Sequence, residues 1–310
     1  MKNHRLIHES GFSLIEMVVV IVITGIIVAA VSRFVSPTVT GYVSAVRRAE
    51  LVDIADTALL RMGRDLHNAL PNSVRVTNVG SVYYLEYLDV RTGGRYRADF
   101  HSGGVATSPA CPSNDTRPGV TDNDILSFYA SGVTTDTCFK TLGNTPNRTT
   151  IVNTDYVVVY NLGITGASAY ESPNTNKSLI SAIPTTSGVE DTVTFAAQTF
   201  RLPSPGNRFE IITGPVSYVC DPGAQTLRRY SGYAIQAAQP NSASAAPLST
   251  APASSVLASN VSACTFTYNA AVVAQRNGLV SMSLSIAEKD SQGLSETVSL
   301  YKAAHVSNVP

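Results

Sequence analysis

The stretch Gly11-Phe12-Ser13-Leu14-Ile15-Glu16 opens a long apolar segment and places one carboxylate inside it. Twenty residues run from Phe12 to Val31, and those that are not plainly apolar are Ser13, Glu16, Thr24 and Gly25. A helix of that length rises about 30 Å, which matches the hydrocarbon core of a bilayer. A carboxylate at the centre of such a segment is disfavoured by roughly 2–3 kcal/mol. The sequence therefore predicts a membrane-spanning helix in which Glu16 has a function.

Residues 1–11 form a short leader that carries Lys2 and Arg5 against Glu9. A basic flank before an apolar run holds that end of the chain on the cytoplasmic side. One interpretation is an ordinary secretory signal that is cut near residues 28–30. Another is a plain uncleaved anchor. The length of the run and Glu16 count against the first, and the second explains neither Gly11 nor Glu16.

The helical pattern continues beyond the apolar run. Pro37 lacks an amide hydrogen and clashes one turn back, so we expect it to kink or interrupt the helix after Ser36. Helical spacing then resumes in a set of buried-type residues, namely Ala55, Ala58, Leu59, Met62, Leu66, Ala69 and Leu70. The prediction is a transmembrane half at 12–36 and an amphipathic half at 37–70 that needs a sheet to cover its apolar stripe.

Residues 71–310 read as a β-rich globular domain, so the predicted fold class is α+β, with a long N-terminal helix packed on a large antiparallel head. The alternation of apolar and serine residues in 280–286 indicates a sheet with one wet face, and 297–301 completes an antiparallel hairpin. We expect irregular loops near 101–123 and 237–262. The candidate strands are 82–90, 95–100, 125–130, 155–162, 192–200, 208–220, 226–235, 264–268, 280–286 and 297–301.

Charge and motif content weigh against several functions. The chain has 22 basic and 22 acidic residues, which gives no electrostatic case for nucleic-acid binding. Outside the leader the histidines are His67, His101 and His305, and no G-x-S-x-G elbow accompanies them. We therefore predict that the protein is not an enzyme and that it has no cofactor and no metal centre.

The aspartate-rich run at residues 115–124 is the one place with the chemistry of a cation site. Asp115, Asp122, Asn123 and Asp124 are oxygen donors of the kind calcium takes, but their spacing does not match an EF-hand. Aspartate and asparagine are also the residue types that tight turns favour. We favour turn chemistry and leave calcium binding open.

The four cysteines are Cys111, Cys138, Cys220 and Cys264, and none stands in a C-x-x-C pair. An even count in an exported domain suggests two disulfides. Of three pairings we prefer Cys111–Cys138 and Cys220–Cys264, because each closes one loop-rich region. Four free thiols are the alternative.

The hexapeptide at residues 11–16, followed by a run of valine and isoleucine, resembles the class III signal of type IV pilins and pseudopilins. The resemblance implies that prepilin peptidase cuts after Gly11 and that Phe12 becomes the N-methylated terminus. It implies further partners, namely major and minor pilins and an inner-membrane assembly platform. The helix would stay in the inner membrane with the head in the periplasm, and would later enter a filament at the cell surface.

The resemblance implies a physical role for Glu16. After cleavage the amine of Phe12 lies four residues before Glu16, and a carboxylate in the first turn faces the positive end of the helix dipole. The carboxylate can meet the amine of its own or a neighbouring subunit, which would neutralise both charges in lipid. The alternative is that Glu16 reaches back to the membrane interface.

Other segments resemble larger members of the same group, with less specific motifs. The end of the long helix is similar to the larger minor pilins and to J-type pseudopilins of type II secretion. The last residues are similar to MshO-type minor pilins of the mannose-sensitive haemagglutinin (MSHA) pilus. A membrane-anchored adhesin or binding protein is the competing class. The segments concerned are 64–66, 69–73, 215–220, 227–230 and 305–310.

Overall fold

In a computed structural model of the chain, residues 11, 13–99, 111, 124–128, 135–173, 176–187, 189–269, 277–289, 293 and 295–310 are described, without the side chains of 36–38 and 183–187. The chain divides into two compact units, Met1–Leu51 and Val52–Pro310. The elements within the described residues are one helix, α1 (Leu14–His67), a 3-10 turn (Arg148–Thr150) and the strands β1 (Arg75–Val79), β2 (Val82–Arg95), β3 (Asp136–Lys140), β4 (Tyr156–Val158), β5 (Lys177–Ser187), β6 (Glu190–Gln198), β7 (Arg208–Asp221), β8 (Thr226–Ser231), β9 (Ala253–Ser259), β10 (Val261–Tyr268), β11 (Asn277–Lys289) and β12 (Ser295–Ser307).

The long helix confirms the α part of the α+β fold and corrects one detail of it. α1 runs from Leu14 to His67 through Pro37, so the predicted interruption is absent, while a kink at Pro37 stays a prediction. It ends at His67 rather than at residue 70, because Ala69 already pairs with Asp89 of β2 as an isolated bridge. Every residue that the spacing assigned to its apolar stripe from Ala55 onward is buried.

A nine-stranded sheet forms the larger part of the head. Its path is β1-β2-β7-β4-β5-β6-β3, and the far half of β7 pairs instead with β8, which pairs with β9. All its named pairings are antiparallel. β7 is therefore the central strand, and its near-continuous burial from Ile211 to Cys220 shows that both of its faces are covered there.

A second, three-stranded sheet has the order β10-β11-β12. Val280, Met282, Leu284 and Ile286 of β11 are buried, whereas the alternate serines are only partly covered. The register of β11 and β12 is unbroken from Asn277–Ser307 to Lys289–Ser295. The predicted hairpin with one wet face is confirmed.

Several sequence expectations need correction. Of the predicted strand 155–162, only Tyr156–Val158 is strand, and the described part of 125–130 contributes one bridge, Phe128 to Phe200. The expected irregular stretch 237–262 contains β9 and the first residues of β10, and Leu248 within it is buried against Tyr84. The expected loop 101–123 lies outside the described residues apart from Cys111.

Two disulfides tie the head together. Cys111 joins Cys138, and Cys220 joins Cys264, so both preferred pairings are present and no cysteine is free. The second bridge links the C-terminal end of β7 to β10, and thus connects the two sheets covalently. The four sulfur-bearing side chains are buried.

Candidate functional site

The start of α1 is fixed by a local cap. The backbone N–H of Glu16 donates to the Oγ of Ser13 at 3.3 Å and to the Ser13 carbonyl at 3.1 Å. Ser13 thus occupies the N-cap and Glu16 the third helical position, which is the S-x-x-E pattern of a capping box. The capping role of Ser13 was not predicted, although the four residues Ser-Leu-Ile-Glu carry that signal.

The carboxylate of Glu16 is exposed and lies in the first turn of α1. Within the described part of the chain it accepts no hydrogen bond from a side chain or from the backbone. Gly11 is also exposed, and an added Cβ there would meet nothing within 4 Å. Phe12, the predicted new terminus, lies outside the described residues. The pairing of Glu16 with the Phe12 amine therefore stays a prediction.

The first part of α1 exposes apolar side chains on every side. Leu14 is 84% exposed, Ile21 65% and Phe34 80%, and no residue of the most apolar window is buried. The hydroxyl of Thr24 is satisfied inside the helix by a 2.6 Å bond to the carbonyl of Val20. By length and composition this helix can cross a membrane.

A cavity of about 380 Å³ with mixed polar and apolar walls lies where the chain leaves α1, beside the 162–171 loop and the C-terminal segment. Arg75, the one arginine that lines it, makes several contacts within the head. The guanidinium pairs with Glu86 at 2.6 Å, donates to the carbonyls of Gln236 and Ala237, and stacks 3.6 Å from the ring centre of Tyr170. The arrangement stabilises the head and leaves Arg75 little capacity to bind a ligand.

The head contains buried ionisable groups whose surroundings belong to the fold rather than to a catalytic site. Burial raises the pKa of Glu86, although Arg75 and Tyr233 oppose that rise. Burial lowers the pKa of Lys177 to about 8, and its ammonium donates to the carbonyls of Ala169 and Glu171. Burial raises the pKa of Glu210 to about 7. None of these groups lies beside an activated nucleophile within the described ranges.

The residues considered for catalysis or metal binding do not converge in the part of the chain that the structure describes. His67 is exposed on α1 and His305 is exposed on β12, while His101 is not described. Asp124 is buried and accepts the backbone N–H of Cys111 at 3.1 Å, so it has a structural use. Asp115, Asp122 and Asn123 lie outside the described residues. No group of three metal-ligating side chains occurs among those described.

Comparison with known proteins gives one match. Residues 7–32 match the prokaryotic N-terminal methylation motif, a stretch that includes the end of the leader, the Ser13 cap, Glu16 and the apolar run. No curated protein and no solved structure matches the chain. Proteins of the type IV pilin-like family are structural rather than enzymatic and are processed by prepilin peptidase. The motif match supports a resemblance to type IV pilin-like proteins, and the exposed apolar helix fits a membrane anchor.

Proposed function

We propose that the chain is a minor pilin that takes part in the initiation or tip complex of a type IV pilus of the MSHA kind. The observation that carries the proposal is the exposed apolar surface of α1, with the exposed carboxylate of Glu16 in its first turn. Such a surface is unstable in water, so it requires lipid before assembly and the helices of neighbouring subunits afterwards.

The proposed mechanism begins with cleavage after Gly11. The new Phe12 terminus carries a methylated amine, and the Ser13 hydroxyl already caps the helix through the N–H of Glu16. The Glu16 side chain is thus available to neutralise the amine of a neighbouring subunit. The pairing is favoured in lipid, where an isolated charge costs several kcal/mol.

The size of the head supports a low copy number. The unit Val52–Pro310 contains two sheets and two disulfides, and a head of that bulk would crowd a regular helical lattice of subunits. A position at the tip, or a sparse distribution along the shaft, avoids that crowding. The head is exported across the inner membrane into the periplasm, an oxidising compartment in which both disulfides can form.

The test compares two carboxylates of the same helix. Glu16→Leu should insert and be cleaved, yet should fall at least tenfold in sheared filament fractions, because the amine of its neighbour is left unpaired. Glu50→Leu is the matched control, since Glu50 is also exposed on α1 but lies beyond the apolar run. Normal filament yield of Glu16→Leu would show that the helix is only a tether, as in an anchored adhesin.

A second candidate is a J-type minor pseudopilin of a type II secretion system, which the residues at the end of α1 favour. It shares the export route, the cleavage and the use of Glu16. Deletion of the chain separates the two: loss of surface pili with normal protein secretion supports the pilus assignment. Loss of secretion with normal piliation supports the pseudopilin assignment.

A further inference from the structure

The three-stranded sheet ends in a long strand that has one neighbour. β12 pairs with β11 along its whole length, and its other edge meets no further strand in the part of the chain that the structure describes. An edge of this kind presents a row of backbone N–H and C=O groups that can pair with another chain. We call it the outer edge of β12.

The outer edge of β12 differs from the edges of the larger sheet. β1 and β3, which end the path of that sheet, have five residues each, whereas β12 has 13. Proteins usually protect an edge by keeping it short, or by placing a proline, a bulge or a charge on it. β12 has no proline, and its register with β11 has no bulge. Its charged residues are Glu296 and Lys302, which lie at alternate positions of one side of the strand.

The apolar residues on that side of β12 are incompletely covered. Leu284 and Ile286 of β11 are fully buried, but the residues opposite them, Leu300 and Val298, are only half-buried. Val306, near the end of the same strand, is buried. An extended segment added beside β12 would cover Val298 and Leu300 as β12 itself covers the residues of β11.

The two charges determine which segment would fit. Glu296, Val298, Leu300 and Lys302 form one row, because alternate residues of a strand point to the same side. Opposite charges that face each other across two strands stabilise the pair, and like charges destabilise it. A segment that runs antiparallel to β12 fits this row when it carries an acid opposite Lys302, two aliphatic residues, and a base opposite Glu296.

We propose that the outer edge of β12 binds an extended segment of a different protein. The segment runs antiparallel to β12 and carries an acid, two aliphatic residues and a base at alternate positions. Backbone hydrogen bonds provide the affinity of such a strand addition, and the alternate side chains provide its specificity. One bound segment fills the edge, so the contact does not propagate and is compatible with a low copy number.

A second copy of this chain is the competing occupant, because residues 296–302 themselves have the required pattern. The course of β12 argues against it. β12 follows α1 in the same direction, since Lys302 lies beside Gly63 and the carbonyl of Asn308 accepts a 3.2 Å hydrogen bond from Asn72. Antiparallel pairing of two β12 strands would turn their α1 helices in opposite directions. This step rests on the proposed function, in which every copy enters the membrane in the same orientation.

Peptide binding tests the edge with a probe taken from this chain. The probe is a fluorescent peptide of residues 295–303, and the protein is the full mature chain in detergent. The control peptide carries Glu296→Lys with Lys302→Glu and so has the same composition. Fluorescence anisotropy should show that the first peptide binds about fivefold more tightly, because the control sets like charges opposite each other. Tighter binding of the control would indicate a parallel segment, and no saturable binding of either peptide would indicate a closed edge. Either result overturns the proposal.

Methylation of the peptide backbone tests the hydrogen bonds. One peptide is N-methylated at the even residues 296–302, and another at the odd residues 297–301. N–H groups of alternate residues point to opposite edges of a strand, so one peptide should lose binding and the other should keep it. Equal binding by both peptides would show that the contact is not a strand pairing.

A charge exchange in the protein tests the cause of the specificity. Glu296→Lys with Lys302→Glu in the protein should reverse the preference between the first two peptides. Thr265→Lys with Thr267→Glu is the matched control, because both threonines are exposed on β10, away from the outer edge. That control should keep the original preference. An unchanged preference in the Glu296 and Lys302 variant, at an unchanged thermal midpoint, would refute the charge pairing.

The outcomes separate this inference from the proposed function. If neither peptide binds, but the protein is recovered in filaments, the pilin function stands and the docking edge fails. If the first peptide binds as expected, but the protein is absent from filaments, the docking edge stands without the pilin function. Sedimentation of the mature protein in detergent detects the competing occupant. A dimer that the first peptide dissociates would identify a second copy and overturn the assignment to a different protein.

Discussion

The two ends of α1 differ in whether their apolar side chains are exposed or buried. From Leu14 to Val46 the helix exposes nearly every apolar side chain, including Leu14 at 84% and Phe34 at 80%. From Ala55 to Leu66 it buries an apolar stripe in the head, where Met62 and Leu66 are fully buried. One continuous helix thus has one part that is exposed among the described residues and one part whose apolar stripe is buried in the head.

The difference shows where the stability of each part comes from. The second part is fixed by the head through packing and through Asp65, whose carboxylate accepts hydrogen bonds from Tyr218 and Arg229. Amphipathic packing, more than helix propensity, stabilises most helices in proteins. The first part exposes its apolar side chains among the described residues, and its length and composition suit a membrane span. The predictions below separate these two sources.

Removal of the first part should have the largest effect on solution behaviour. A chain that begins at Arg47 should be soluble without detergent and should keep the thermal midpoint of the mature protein in detergent, because the head has its own core. The measurement combines size-exclusion chromatography with thermal circular dichroism. Aggregation of the shortened chain, or a midpoint lower by 10 °C or more, would show that the head depends on the apolar part.

The disulfide between the two sheets should have the largest effect on the stability of the head. Replacing Cys220 and Cys264 by alanine should lower the free energy of unfolding by about 4 kcal/mol in the chain-entropy account, and the shorter Cys111–Cys138 loop should give about 3.5 kcal/mol. Urea unfolding followed by tyrosine circular dichroism measures both, since the chain has no tryptophan. Membrane retention should not change in either variant. A change there would couple the head to the apolar part.

Two leucines of α1, six positions apart, give a matched pair. Leu66→Ala should lower the free energy of unfolding by about 3 kcal/mol, because Leu66 is fully buried and its loss leaves a cavity. Leu60→Ala should cost less than about 1 kcal/mol, because Leu60 is 41% exposed. Equal losses would contradict the orientation of α1 on the head.

Glu210 should make the stability of the head depend on pH. Burial raises its pKa in the folded protein from 4.5 to about 7, and its Oε2 has no hydrogen-bond partner in the part of the chain described. Between those values the unfolded chain loses the proton and the folded chain keeps it, so stability falls as pH rises and then levels off. Glu210→Gln should remove that fall and stabilise the protein by about 2 kcal/mol at pH 8. An unchanged slope in the variant would refute this assignment.

The sequence was most informative where apolar residues recur at a regular spacing or where a single residue type stands out from its surroundings. The apolar stripe of α1, the serine-alternating hairpin of β11 and β12, and both disulfide pairs could be predicted from it. The run of six letters at residues 11–16 predicted a processing signal, and the match of residues 7–32 to the N-terminal methylation motif supports that prediction.

The rest could not be predicted because its determinants are non-local. β9 is built from Ala253–Ser259, in which Ala258 is the one buried side chain, so the segment has no alternating pattern and depends on pairing with β8. The strand expected from residue 155 to 162 shrinks to Tyr156–Val158, because it fits between β5 and β7 over three residues.

Mass spectrometry of the N-terminal peptide of the mature protein tests the central claim most directly. The protein is purified from membranes and digested, and the mass of its first peptide is measured. We predict a chain that begins with N-methylated Phe12, because the apolar helix and Glu16 are retained after the cut at Gly11. An intact Met1, or a start beyond residues 28–30, would contradict the assignment of this chain to the pilin-like processing route.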